Sequence, residues 1–130
     1  MGWNFDSNGA VSVQIANILR LDIITGKYKA GEWFPTVRQL AFEAGVNPNT
    51  MQKSLSVLEN EGLLVNQGTN GRTVTDDISI IESTLAKMQE NYVTKIIQEG
   101  INLGLTKESF IDLINKYYER KSIYLLFSYV

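Results

Sequence analysis

Residues 45–64, "GVNPNTMQKSLSVLENEGLL", decide the fold. Asn47 is a strong helix N-cap, and Pro48 falls at the first helical position, where a missing N–H costs nothing. Met51, Leu55 and Leu58 recur at helical spacing and define a core face, and Gly62 closes the helix. The opposite face carries Asn49, Gln52, Lys53 and Ser56, one continuous polar stripe. Short amides and a lysine are the groups that read base edges in a major groove: Asn and Gln pair bidentately with adenine, and Lys reaches guanine acceptors. A solvated surface face would look similar, and the stripe alone leaves both readings open.

Working toward the N-terminus, Thr36 is a second N-cap. It precedes Val37, Leu40, Ala41 and Ala44, a short amphipathic pattern ended by Gly45. Two short helices joined by so tight a glycine turn form a helix-turn-helix signature. Further back, Val11, Ile15, Ile18, Leu19 and Ile23 describe another helix, which stops at Gly26. The segment "GKYKAGEWFP" between them reads as a loop in which Trp33 and Phe34 both plug the core. Residues 1–10, with Trp3 and Phe5, read as an arm packed by its aromatics.

Toward the C-terminus, "LLVNQGTNGRTVT" reads as strand, turn, strand: 63–66, a turn at 68–71, and 72–75. A hairpin directly after a helix-turn-helix is a wing. Arg72, beside Asn70 and Gly71, could reach a narrow minor groove. Arg38, with Thr36, opens the second helix, where an N–H end and a cation can hold a phosphate; pairing with Glu43 is the plainer alternative. The fold class is therefore mainly α with a small β-hairpin: a winged helix-turn-helix over residues 1–77 and a helical region over 78–130.

That second region carries one long stripe, Ile81, Leu85, Met88, Tyr92 and Ile96, to about Leu103. Gly104 breaks it, and Thr106 caps another helix with Phe110, Leu113, Ile114, Tyr117 and Tyr118 on its apolar face. One further helix is thin cover for the long stripe. Packing against the same helices of a second chain is the expected solution, with Ile81, Leu85, Met88, Tyr92, Ile96, Phe110, Ile114 and Tyr117 at the dimer interface. Gly100 inside the long helix would let a neighbour approach closely. The terminal "IYLLFSYV" is expected to pack on the partner; lining a groove for an apolar effector is the alternative.

Composition limits the functions available. With 44% hydrophobic residues the 130-residue chain can build a packed core. It has no histidine and no cysteine, so the usual general base, thiolate nucleophile and commonest metal ligands are missing. No enzyme chemistry, metal or cofactor is expected. The sequence shows no membrane-spanning run and no signal-peptide pattern, so a cytoplasmic location is the default. A formal charge of −2 means that a nucleic-acid partner must be met by locally placed cations.

In order and spacing, the loop glycines, Pro35, Arg38, Leu40, Ala41, "GVNPNT", "LENEGL" and the wing "QGTNGRTV" resemble the GntR family of bacterial transcription regulators, from about Val11 to Val74. The short helical tail resembles the small YtrA-like subfamily, whose appendage serves dimerisation. The resemblance implies that Arg38 contacts DNA from the second helix and that Asn47, Asn49 and Thr50 meet phosphates and base edges. Gln52 and Lys53 would extend the readout, and Gly71 and Arg72 would act from the wing tip. The implied protein is a homodimeric repressor on a pseudo-palindromic double-stranded operator. About fifty residues beyond the wing cannot enclose a ligand pocket, so any small-molecule effector would bind at the subunit interface. A winged helix serving protein–protein interaction without DNA readout is the competing function, and Phe42 is the feature it could claim. Phe42 is expected instead to cover the arm or the linker to the C-terminal helices.

Overall fold

The computed structural model describes residues 2–128, with side chains described through Arg120. In chain order it comprises α1 (Val11–Ile24), α2 (Val37–Ala44), α3 (Pro48–Asn60), β1 (Leu64–Asn66), β2 (Arg72–Val74), α4 (Ile78–Asn102) and α5 (Lys107–Ser128), with a single 3-10 turn, Gly68–Asn70, at the tip of the hairpin. Its internal contacts divide the chain into two units, Met1–Lys87 and Met88–Val130.

The first unit is a winged helix-turn-helix. Ile15, Leu19 and Ile23 of α1 meet Leu40 of α2, Met51, Leu55 and Leu58 of α3, and Leu63, Leu64 and Val74 of the wing in one core, all essentially buried. The local signals act as their chemistry requires. Thr36 Oγ1 accepts the Gln39 N–H at 3.1 Å while Gln39 Oε1 accepts the Thr36 N–H at 2.9 Å, a complete capping box. Asn47 Oδ1 accepts the Asn49 N–H at 2.8 Å ahead of Pro48. Gly45 ends α2 at φ +73°, a left-handed conformation that costs glycine little. Ser54, the polar residue on the buried face of α3, donates to the Ser12 carbonyl at 2.7 Å and so ties α3 to the start of α1.

The wing is antiparallel, with Leu64 opposite Val74 and Asn66 opposite Arg72. The segment expected to be a loop contributes a third partner: the Phe34 N–H donates to the Arg72 carbonyl at 2.8 Å, and the Val74 N–H to the Glu32 carbonyl at 2.9 Å. Because this segment is extended, neighbouring side chains point to opposite sides. Phe34 is buried and meets the Tyr28 ring in a tilted contact at 4.7 Å between ring centroids, whereas Trp33 is 57% exposed. The expectation that both aromatics plug the core is corrected to Phe34 alone.

The arm packs as expected. Trp3 and Phe5 lie against the core, and the Trp3 N–H donates to the Ala44 carbonyl at 3.1 Å. It does not cover Phe42, which is 88% exposed; that expectation is overturned, because the arm runs past the end of α2 rather than along its outer face.

In the second unit, α4 turns into α5 through Gly104 at φ +84°. Thr106 and Ser109 cap the start of α5, each side-chain oxygen accepting the other's backbone N–H, at 2.9 and 3.1 Å. A Cβ built on Gly100 would come within 2.2 Å of the Phe110 ring, so the close neighbour that Gly100 admits is Phe110 of the same chain. The side chains of the terminal "IYLLFSYV" lie outside the described residues, and so does the expectation about that stretch.

Candidate nucleic-acid interface

Helix α3 is laid on α1 by Met51, Ser54, Leu55 and Leu58, which turns its other side to solvent. Asn49, Gln52 and Lys53 are exposed there, Thr50 and Ser56 half-buried, and Gln52 Nε2 donates to Ser56 Oγ at 3.3 Å. The polar stripe expected from the spacing is thus a single accessible surface. Asn47 is exposed at its N-terminal end, but its side-chain oxygen is occupied by the cap.

An open cavity of about 370 Å³ forms where the start of α2 meets the wing. Thr36, Arg38, Asn70, Gly71 and Arg72 line it, with Phe34 at its floor. Four of the residues expected in the interface, Thr36, Arg38, Gly71 and Arg72, are therefore brought to one place although more than thirty positions separate them. Arg38 is exposed and forms no ion pair with Glu43 or with any other described residue.

Arg72 differs from its expected placement. It does not extend from the tip of the wing; its Nε donates to Glu59 Oε1 at 2.7 Å, and its side chain is 14% exposed. Glu59 is one of two acids at the far end of α3. The other, Glu61, is clamped by Arg20 of α1, whose Nε and Nη2 donate to its two carboxylate oxygens at 2.7 and 2.6 Å. Both carboxylates at this end of α3 thus carry a cation, whereas Glu43 of α2 is exposed and has no ion pair among the described residues. Arg38 and Lys53 are left as the cations between positions 36 and 75 with no ion pair among the described residues. Arg20 was missed in the sequence because its partner lies 41 positions away.

The expected dimerisation residues fall into two groups. Ile81 packs against the core of the first unit, and Leu85 and Met88 are half-buried. Tyr92, Ile114 and Tyr117 are exposed, and Ile96 and Phe110 half-buried. In the second unit the structure adds Val93, Ile97, Ile101 and Ile111, all exposed. With Ile96, Phe110 and Ile114 these line an open apolar groove of about 520 Å³. No helix of the described residues is long and apolar enough to cross a membrane.

The comparisons with known proteins agree with this architecture. Residues 11–74 match the family model for bacterial regulatory proteins of the gntR family. A GntR family transcriptional regulator from Listeria monocytogenes is 30% identical and superimposes with a TM-score of 0.82, covering 86% of this chain and 98% of the other. YtrA from Sulfolobus acidocaldarius, a GntR-family transcription factor, is 26% identical with a TM-score of 0.51, over 92% and 97% of the two chains. The uncharacterized HTH-type transcriptional regulator YhcF of Bacillus subtilis is 26% identical over 115 residues, 88% of this chain and 95% of that protein. These relatives are regulators rather than enzymes. A helix-turn-helix, its wing and a short helical appendage, matched nearly end to end in a regulator 30% identical, place this chain in the GntR family of transcriptional regulators.

Proposed function

We propose that this regulator binds double-stranded DNA sequence-specifically, as a homodimer on a pseudo-palindromic operator, and that it acts as a repressor. The observation that carries the proposal is the exposed stripe Asn49, Gln52 and Lys53 on α3, together with an exposed Arg38 at the start of α2 that has no ion pair among the described residues. The stripe enters the major groove and reads base edges; Thr36, Arg38, Asn47 and Thr50 hold the flanking phosphates, and Gly71 and Arg72 contribute from the wing. Residues 1–77 form the DNA-binding part and 78–130 the part that joins the subunits.

Dimerisation follows from the cost of leaving the second unit's apolar surface in water. At about 25 cal/mol per Å² of apolar area, covering several exposed isoleucines and tyrosines is a strong driving force. Tyr92, Ile96, Phe110, Ile114 and Tyr117 take part, joined by Val93, Ile97, Ile101 and Ile111. Two subunits place two recognition helices one helical turn of DNA apart, ~34–36 Å, which compensates for the few free cations per subunit. An effector that acted would bind in the apolar groove between subunits and bias that spacing. Repression is the economical mode, since occluding a promoter needs no contact with polymerase.

The rival function, a winged helix that grips protein alone, has Phe42 in its favour, 88% exposed. One experiment separates the two. Fluorescence anisotropy compares DNA from the gene's own upstream region with a scrambled duplex, over a salt series, for wild type and Arg38→Ala. The DNA reading requires preference for the upstream duplex and a loss of affinity in Arg38→Ala. Equal, weak binding to both duplexes favours the rival.

A further inference from the structure

We propose that Glu59 is a positioning residue that aims Arg72 into the cavity beside Arg38 and Thr36, so that the wing arginine grips a backbone phosphate diester rather than a minor-groove base edge. The inference rests on the DNA reading above and assigns the wing a specific task within it.

Three observations converge. The backbone of Arg72 is fixed from both sides, paired with Asn66 across the hairpin and accepting the Phe34 N–H at 2.8 Å. Its side chain is turned back toward α3, with Nε donating to Glu59 at 2.7 Å. It nevertheless lines the same cavity as Thr36, Arg38 and Gly71. A guanidinium carries five N–H donors in one rigid plane. Glu59 takes the Nε donor, and among the described residues nothing accepts from the two Nη groups. Tethering one donor sets the plane of the other four and removes rotamer freedom that binding would otherwise have to restrict.

The charges of the cavity agree with an anion. Arg38 and Arg72 line the cavity and no carboxylate does; Glu59 pairs with Arg72 alone, which leaves a positive balance beside the capped start of α2. A minor-groove reader would need its cation extended at the tip of the wing. The tip is the turn Gly68–Asn70, which carries Thr69 and Asn70 and no cation.

The test uses the full chain and the upstream duplex, trimmed to its footprint and carrying single methylphosphonate replacements that remove one phosphate charge at a time. Wild type should lose about tenfold in affinity at one phosphate per half-site, the order expected for a charge-assisted hydrogen bond. Arg72→Gln should bind about tenfold more weakly and be indifferent to that same replacement, with unchanged base preference. Glu59→Gln should melt as a folded protein yet lose most of the sensitivity, with a salt slope shallower by about one per half-site. Should Glu59→Gln not fold, Arg72→Lys asks the same question, because it keeps the charge but not the fork that Glu59 orients: it should bind as weakly as Arg72→Gln, and wild-type affinity and phosphate sensitivity in Arg72→Lys would overturn the inference.

Two further results would overturn the inference while leaving DNA binding intact. One is a Glu59→Gln protein with a lowered melting temperature but wild-type phosphate sensitivity and slope, a purely structural strut. The other is an Arg72→Gln protein that loses A·T preference and keeps the phosphate sensitivity. Wild type indifferent to every duplex would remove the DNA reading itself, and the inference with it.

Discussion

Met51, Leu55 and Leu58 of α3 are fully buried by the chain's own α1, α2 and wing, whereas Val93, Ile97 and Ile101 of α4 are 47%, 46% and 58% exposed. Both sets recur at helical spacing, and both would be drawn on a helical wheel as a core face. The periodicity of a helix states that a face requires burial; it does not state what buries it. In the first unit four elements of the same chain converge on that face. In the second, two helices form a hairpin, each with more apolar surface than the other covers, and the excess stands exposed, which the proposed dimer would cover.

Damage should therefore differ in kind between the regions. The largest effect belongs to the closed core. Leu55→Ala removes a fully buried side chain and should cost about 2–5 kcal/mol, read as a lowered urea midpoint. An equal loss from Ile97→Ala, measured on monomer at low concentration, would erase the contrast between the regions.

The next effect belongs to the open face. The double variant Ile97→Asp with Ile101→Asp should leave the first unit folded, with its near-ultraviolet circular dichroism retained, and should shift sedimentation from dimer to monomer. Two buried and unpaired carboxylates cost several kcal/mol at an interface and little on a solvated surface. Operator affinity should fall by more than tenfold, because each half-site is then bound alone. A variant that remains dimeric would move the interface to other residues of α4 and α5.

A smaller effect tests the turn of the hairpin. Gly100→Ala improves helix propensity by about 1 kcal/mol, yet its Cβ would lie 2.2 Å from the Phe110 ring and force that ring aside. Overpacking of this kind costs about 1–3 kcal/mol, so the net change should be a loss of stability confined to the second unit. Hydrogen exchange is the suitable measurement. Faster exchange along α4 from Met88 to Asn102, with the amides of α3 unchanged, is expected; slower exchange would mean that Phe110 has room to move.

Much of the first unit was legible because its determinants are local. Thr36 with Gln39, Gly45, and Asn47 with Pro48 carry their caps within four residues, so their spacing is enough. Trp33 was misplaced because the extended pairing of Glu32–Phe34 with β2 is a tertiary fact; alternation then sends one aromatic inward and the other out. The pairs Arg72–Glu59 and Arg20–Glu61 join residues 13 and 41 positions apart and leave no local mark. On α4 the expected stripe from Ile81 to Ile96 was one of two. Ile81 is already used by the core of the first unit, and Val93, Ile97 and Ile101 form another row that periodicity alone could not rank above it.

The smallest expected effect concerns Phe42, which sharpens the comparison from the other side. It is the most exposed large apolar residue of the first unit, at 88%, and it stands on the outer face of α2 among polar neighbours. A lone exposed aromatic is ordinary, whereas the α4–α5 groove is contiguous and apolar. If the first unit is closed, Phe42→Ser should change stability by no more than about 0.5 kcal/mol, as surface substitutions do, and leave the sedimentation of the dimer unchanged. A drop of several degrees in melting temperature, or a change in oligomeric state, would mean that Phe42 is covered in solution. The first unit would then share the property proposed for the second: an apolar surface completed by another chain.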